Sequence, residues 1–357
     1  MKVRKGHIVV LLLTVIWLAA AFKAHRATLY VFPKLKLFPA MPTDTSNVVT
    51  VEGAELGRYL FYDPILSRKK NLSCGSCHKQ KAAFSDGPET FSKGGTGELM
   101  TRNTMPLFNL AWHKSFFWDG KAETIERQIY HPVRTHNEMD MNWPEVSIRL
   151  NSSLFYRTRF KAVFGTEYID SNLVAKAIGQ FERTFISYRS KYDMVLIGKR
   201  AFTSEEYEGF NLVNDMTRGD CLHCHTTDSD PLGSTFNFSN NGLDPITDAN
   251  GYKDKGRGGV TGHIDDFGKF KIPSLRNVML TAPYMHDGRF KTIEDVLNFY
   301  SSGVNVCANI DSKMEFARRK GAHFSVDEQR KIIAFLKTLT DSAFISDPAF
   351  SDPFRKR

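Results

Sequence analysis

Leu173, Val174, Ala177, Ile178, Phe181 and Phe185 recur at spacings of three and four residues, a period that predicts a long helix with one apolar face. Shorter stretches of the same kind place helices over residues 54–62 and 122–130, the second following the cluster Phe116-Phe117-Trp118. Thr203 with Glu206 makes a capping box, in which hydroxyl and carboxylate each satisfy a free amide, and opens another helix. Ser325 with Glu328 opens a last one, carrying Ile332, Ile333, Leu336 and Leu339. Residues 229–268 are crowded with Gly, Asn and Asp and show no apolar alternation, so they read as a long loop insertion without strands. The pattern is mainly α, with a domain boundary expected near residues 188–199, between two helices.

Length and charge sharpen this. With 357 residues, 41% of them hydrophobic, the chain can build two cores of ordinary size. The formal net charge is +9, but Lys2, Arg4, Lys5, Lys23, Arg26, Lys34 and Lys36 precede the first acid, and Arg355, Lys356 and Arg357 close the chain. The body between is close to neutral and makes a poor phosphate-binding surface, so no nucleic-acid partner is expected. Lys2, Arg4 and Lys5 lead into an apolar run over residues 8–22, broken only by Thr14, which is the layout of an export signal. At about 1.5 Å per residue the run spans about 22 Å, short of the roughly 30 Å hydrocarbon core of a bilayer. A cleaved signal and an uncleaved membrane anchor both remain open, and either puts the body outside the cytoplasm. The expected organisation is a signal or anchor over 1–27, a tether over 28–50, helical domains over 51–190 and 191–345, and a basic tail over 346–357.

Four of the five cysteines form two copies of one pattern, Cys74-Gly-Ser-Cys77-His78 and Cys221-Leu-His-Cys224-His225. Cys-x-x-Cys-His is the attachment signature of haem c: two thiols add across the porphyrin vinyl groups and the next residue presents imidazole to the iron. Two Cys-x-x-Cys pairs also suit one four-thiolate zinc site, but the histidine in both copies, on an exported chain, favours haem. The motifs lie 147 residues apart, which suits two helical domains of the c-type cytochrome kind with one covalent haem each. Cys307 reads as a buried free thiol, with an intermolecular role as the alternative.

The sequence then resembles the bacterial di-haem cytochrome c peroxidases, a family that includes the methylamine-utilisation (MauG-type) enzymes. The resemblance is carried by Cys74–His78, Arg102-Asn103, Phe117-Trp118-Asp119-Gly120, Glu138-Met139, Cys221–His225, Pro273-Ser274-Leu275-Arg276-Asn277, and Thr281-Ala282-Pro283-Tyr284-Met285-His286-Asp287-Gly288, in that order. It covers residues 52–339, and it implies a division of labour. The haem on Cys74, Cys77 and His78 would meet hydrogen peroxide. The haem on Cys221, Cys224 and His225 would take electrons from a small redox protein, a cytochrome c or a cupredoxin. Trp118 would lie between the haems as an electron relay, with a plain core aromatic as the alternative. Glu138 would be the distal acid, moving a proton between the two oxygens of peroxide, helped by burial that raises a carboxyl's pKa. Gln128 and Pro132 would shape the same pocket, and His131 and His136 are nearby imidazoles able to ligate a resting iron.

Tyr300 stands seventeen residues after Pro283, where the peroxidase branch has methionine, and this resembles the MauG-type branch. A phenolate is a hard ligand that favours ferric and higher-valent iron, so the second haem would be harder to reduce than a Met-ligated one. Met285 is the rival ligand. Asn103, Thr281 and Pro283 match a calcium site of one side-chain and two backbone carbonyls, and His286 a position near haem propionates. Where the MauG-type branch has a surface tryptophan before the second motif, this chain has Arg218, Gly219 and Asp220. That departure puts quinone-cofactor maturation in doubt. The leading expectation is an exported, periplasmic di-haem peroxidase with two covalent haems and a calcium ion. The alternatives are a MauG-type oxidase of a protein or organic substrate working through high-valent iron, and a di-haem electron carrier without peroxide chemistry.

Overall fold

Two glycines let pairs of helices pack backbone against backbone. At Gly57, a Cβ would fall 2.0 Å from the Ala177 carbonyl; at Gly209, 1.9 Å from that of Lys331. Only a residue without a side chain lets those backbones approach so closely. The helix Val51–Tyr62 therefore lies along Ser171–Arg183, and Ser204–Val213 along Val326–Thr338. Each pair organises one of the two large apolar clusters in this computed structural model, which describes residues 27–227 and 230–355. Residues 1–26 of the expected signal or anchor, and Lys356 and Arg357 of the expected tail, lie outside the described residues. No helix among the described residues is long and apolar enough to cross a membrane.

The fold is mainly helical, and its boundaries follow local chemistry. The helix expected over 54–62 begins at Val51, because the Thr50 hydroxyl accepts from the Gly53 amide. The one expected over 122–130 is displaced to Ile125–Arg134. There Thr124 caps the Arg127 amide, while the carbonyl of Ala122 is taken by the Phe116 amide at 2.7 Å. Both capping boxes form as expected, on Ser204–Val213 and Val326–Thr338. Ser171–Arg183 is the long amphipathic helix, burying Val174, Ala177, Ile178 and Phe181 on one side.

The Gly-, Asn- and Asp-rich insertion is mostly irregular but not free of strands. Phe238–Ser239 pairs antiparallel with Phe270–Lys271, Phe238 opposite Lys271. Two residues are too few for an alternating pattern to show, so these strands leave no mark in the sequence. Residues 188–199 hold a helix of their own, Lys191–Leu196, whose Tyr192 packs into the second cluster. Residues 28–50, expected to be a tether, lie against the body. Leu29 bridges to Thr50, and Phe32, Leu35, Phe38 and Met41 cover Trp112, Ile186 and Leu232. The end of the chain also returns: Phe344 and Phe350 enter the first cluster, where Phe84 stacks on Phe185 at 4.1 Å between ring centroids.

Candidate functional site

One helical turn, Cys74–Cys77, presents the first pair of thiols three residues apart and so on one side. The chain then folds back through Ala83 and Phe84, both in the left-handed region at φ 52° and 61°. That reversal brings the Phe84 carbonyl onto His78, whose Nδ1 donates to it at 2.7 Å. The second motif repeats the arrangement with a different partner, His225 Nδ1 donating to the Pro273 carbonyl at 3.0 Å. Because a carbonyl only accepts, Nδ1 carries the hydrogen in both rings and Nε2 keeps its lone pair. Burial pulls both imidazoles below their ordinary pKa, His225 to about 4, so they stay neutral. Burial also pushes the thiols up, Cys77 and Cys224 to about 11 and Cys221 to about 12. They are not the low-pKa thiolates of a redox pair. Among the described residues no three His, Cys, Asp or Glu side chains are grouped to hold a metal ion, so the two pairs do not form a joint zinc site. A fixed tautomer beside two protonated thiols, twice over, fits covalent haem.

Glu138 sits in the turn that ends the Ile125–Arg134 helix, fixed by its amide on the Thr135 carbonyl and its carbonyl on the Gly95 amide. Its carboxyl has no hydrogen-bond or ion-pair partner among the described residues, and burial raises its pKa against a weaker opposing pull from Lys121. It is close enough to Cys74 and Cys77 for its charge to raise both thiols. Gln128 and Pro132 lie on the helix leading into this turn. His131 sets its ring edge-on to Phe117, while His136 is exposed and held by Asp140 and Glu98 at the surface. The structure thus brings Glu138 to the first motif and leaves His136 outside.

Trp118 is tied at both ends. Its indole donates to the Asn103 carbonyl at 2.8 Å, and its own carbonyl accepts from the Lys271 amide at 2.8 Å, across from the second half of the chain. Beneath it Lys271, 2% exposed, donates to His113 Nδ1 at 3.0 Å and to the Ser115 carbonyl. Burial draws this lysine down to about 7.

Tyr300 occupies a single π-helical turn, Phe299–Gly303, that continues the helix Ile293–Asn298. Its hydroxyl accepts from Asn241 Nδ2 at 3.0 Å, and the same nitrogen is 3.6 Å from the Met285 sulfur. Burial pushes the phenol up to about 12, partly offset by the Asn241 donation, and the Cys224 and Cys221 charges add to the rise. Tyr300, Met285 and the second pair of thiols therefore share one neighbourhood. Asn103 donates from its backbone to the His286 carbonyl at 2.7 Å and from its amide to the Thr90 carbonyl at 3.1 Å. This brings it to the turn of Thr281 and Pro283 and leaves its side-chain oxygen without a donor among the described residues. His286 lies face to face with Phe270 at 3.6 Å.

Sequence reasoning missed Asn241, Lys271 and Glu182. Nothing local marks Asn241 in an Asn-rich loop, but Glu182 stands on a helix between two core phenylalanines. It is 4% exposed, and burial, with Glu126 adding to it, raises its carboxyl to about 8 from 4.5. Between those values the unfolded chain has lost a proton that the folded chain keeps, so stability falls as pH rises across the window. Glu182→Gln is expected to stabilise the protein at pH 7, by on the order of 3 kcal/mol, and to flatten the decline of Tm between pH 5 and 8. Thermal unfolding of both proteins across that range checks this; parallel curves would count against it.

The family model described as di-haem cytochrome c peroxidase matches residues 51–201. Cytochrome c551 peroxidase of Nitrosomonas europaea is 34% identical over 85% of this chain and 84% of its own. Methylamine utilization protein MauG of Methylophilus methylotrophus is 30% identical over 94% of this chain and 96% of its own. The crystal structure of a MauG-like protein associated with microbial copper homeostasis superposes with a TM-score of 0.83 at 34% identity, covering 91% of this chain and all of that one.

Proposed function

The chain belongs to the di-haem cytochrome c peroxidase family, and from that premise we propose that it is an exported, periplasmic enzyme with two covalent haems that reduces hydrogen peroxide to water. Cys74, Cys77 and His78 hold the haem that meets peroxide, and Cys221, Cys224 and His225 the haem that receives electrons. When bound, haem supplies the iron at which peroxide is split. The observation that carries the proposal is the half-buried carboxyl of Glu138, without a partner among the described residues and near the first pair of thiols. It takes the proton from one oxygen of peroxide and returns it to the other as that oxygen departs, while Gln128 lines the approach. Two electrons and two protons convert each peroxide to two waters. Trp118, held by the Asn103 carbonyl and the Lys271 amide, passes electrons toward the first haem. Asn103, Thr281 and Pro283 supply the oxygens of a calcium site at the same junction, and a small redox protein is the donor.

Steady-state oxidation of a reduced c-type cytochrome by peroxide, on protein shown to carry two haems, tests this. Turnover is expected; its absence would remove the peroxidase reading. The Tyr300–Asn241 contact and the MauG-like neighbour favour a second reading, in which peroxide drives oxidation of a protein or organic substrate. There the segment before Cys221 offers no indole: Arg218 pairs with Glu328 over Phe324. Peroxide consumption that needs a periplasmic protein substrate rather than a reduced cytochrome would favour this second reading.

A further inference from the structure

We propose that Asn241 is a positioning residue of the second haem site, which holds the Tyr300 oxygen in place as the ligand and keeps the Met285 sulfur in reserve. This rests on the reading of Tyr300 as a ligand and adds what selects it. The observation is a shared donor. One amide nitrogen stands 3.0 Å from the phenol oxygen and 3.6 Å from the thioether sulfur, so both candidate ligands converge on it. Oxygen is much the better acceptor, and a hydrogen bond to a phenolate stabilises the charged form that binds ferric iron.

The loop that carries Asn241 is built to hold it still. Asn240 donates to the Tyr252 hydroxyl at 2.8 Å and to the Ala308 carbonyl at 3.1 Å, and its own side-chain oxygen accepts from the Gly242 amide. The Cys307 thiol donates to that same oxygen at 3.7 Å, which gives the odd cysteine a structural place. Asn305 then secures the Gly242 carbonyl through both its backbone and its side chain at 3.0 Å. Gly242, at φ 73°, turns the chain so tightly that a Cβ would meet the Asn305 carbonyl at 2.6 Å. Asn241 is thus held between two fixed neighbours. Tyr300 faces it from a π-helical turn, an irregularity that re-aims one side chain out of helical register.

A preorganised donor of this kind decides between two ligands of different hardness. With the amide in place the oxygen is favoured; without it the soft sulfur competes, above all for ferrous iron. The test is the optical, near-infrared and EPR spectra and the midpoint potential of the second haem, on the di-haem protein. In Asn241→Leu, and in the nearly isosteric Asn241→Asp, which has no N–H to donate, loss of the phenolate signature is expected. The near-infrared band of a thioether-ligated ferric haem c should appear, with a rise in potential. Adding Met285→Leu should abolish the new band. Spectra and potential identical to wild type in both Asn241 variants would overturn the proposal. Loss of the phenolate signature without a thioether band would overturn the part given to Met285. Tyr300→Phe distinguishes the underlying reading: an unchanged second haem there would show that Tyr300 is not a ligand, whatever the Asn241 variants do.

Discussion

Replacing Glu138 with glutamine lowers peroxide turnover by about 10²- to 10⁴-fold, the usual worth of a positioned proton donor and acceptor, with both haems still attached. Glutamine keeps the size and the turn of the carboxyl but cannot take a proton from peroxide. The turn survives because it is made by backbone: the Glu138 amide on Thr135, its carbonyl on Gly95, and the Met139 amide on Pro132. Since the carboxyl has no partner among the described residues, its removal leaves no orphaned group behind. The pH profile should move with it. The free enzyme needs the carboxylate, so in wild type kcat/KM declines as pH falls through a value that burial places above 4.5. In Glu138→Gln that limb should vanish. A variant with wild-type turnover, or one that keeps the same acid limb, would take the proton-transfer role away from Glu138.

The parts of the site legible in the sequence are those whose chemistry fixes a spacing. Two thiols and an imidazole must bridge one porphyrin, so Cys74–His78 and Cys221–His225 announce themselves. Capping boxes behave alike, because Thr203 and Ser325 satisfy amides three residues away. What the sequence did not reveal depends on contacts between distant segments. The carbonyls that orient the two histidines come from Phe84, six residues on, and Pro273, forty-eight residues on, and every peptide carries a carbonyl. Asn241 matters through Tyr300, fifty-nine positions away, and carries no local mark. The helix over residues 122–130 was displaced for a similar reason. The Ala122 carbonyl is needed by Phe116 in a turn that aims Trp118, so the helix waits for Thr124 to cap it. Residues 28–50 read as a tether because of the lysines and prolines they carry. Phe32, Leu35, Phe38 and Met41 are half-buried nonetheless, laid over Trp112, Ile186 and Leu232 as a strap rather than as a regular element, while Leu29, Val31 and Leu37 stay exposed.

Arg276→Met should be strongly destabilising to the second half of the chain, at about 3–5 kcal/mol. Arg276 is 1% exposed and grips Asp193 with both terminal nitrogens, one at 3.0 Å, while the first of these also donates to the Pro231 carbonyl at 2.9 Å. Methionine fills the space but strands a carboxylate whose side chain is 6% exposed. The stranded charge, not the lost bond, is the source of the cost, and this makes the effect separable. Asp193→Leu combined with Arg276→Met removes both charges and should recover much of the stability. Recovery will be incomplete, because Asp193 also accepts from the amide and hydroxyl of Ser190 at 2.7 Å and so caps the Lys191–Leu196 helix. Chemical denaturation of the three proteins measures this; a loss under about 1 kcal/mol in the single variant would place the pair among weak surface bridges instead. The second haem should report the same event. Arg276 follows three residues after Pro273, whose carbonyl fixes the His225 tautomer, and Ser274 between them binds both the Leu232 carbonyl and the Arg276 amide. A single variant that unseats this segment should therefore loosen His225 as it lowers stability, and the double variant should restore both together.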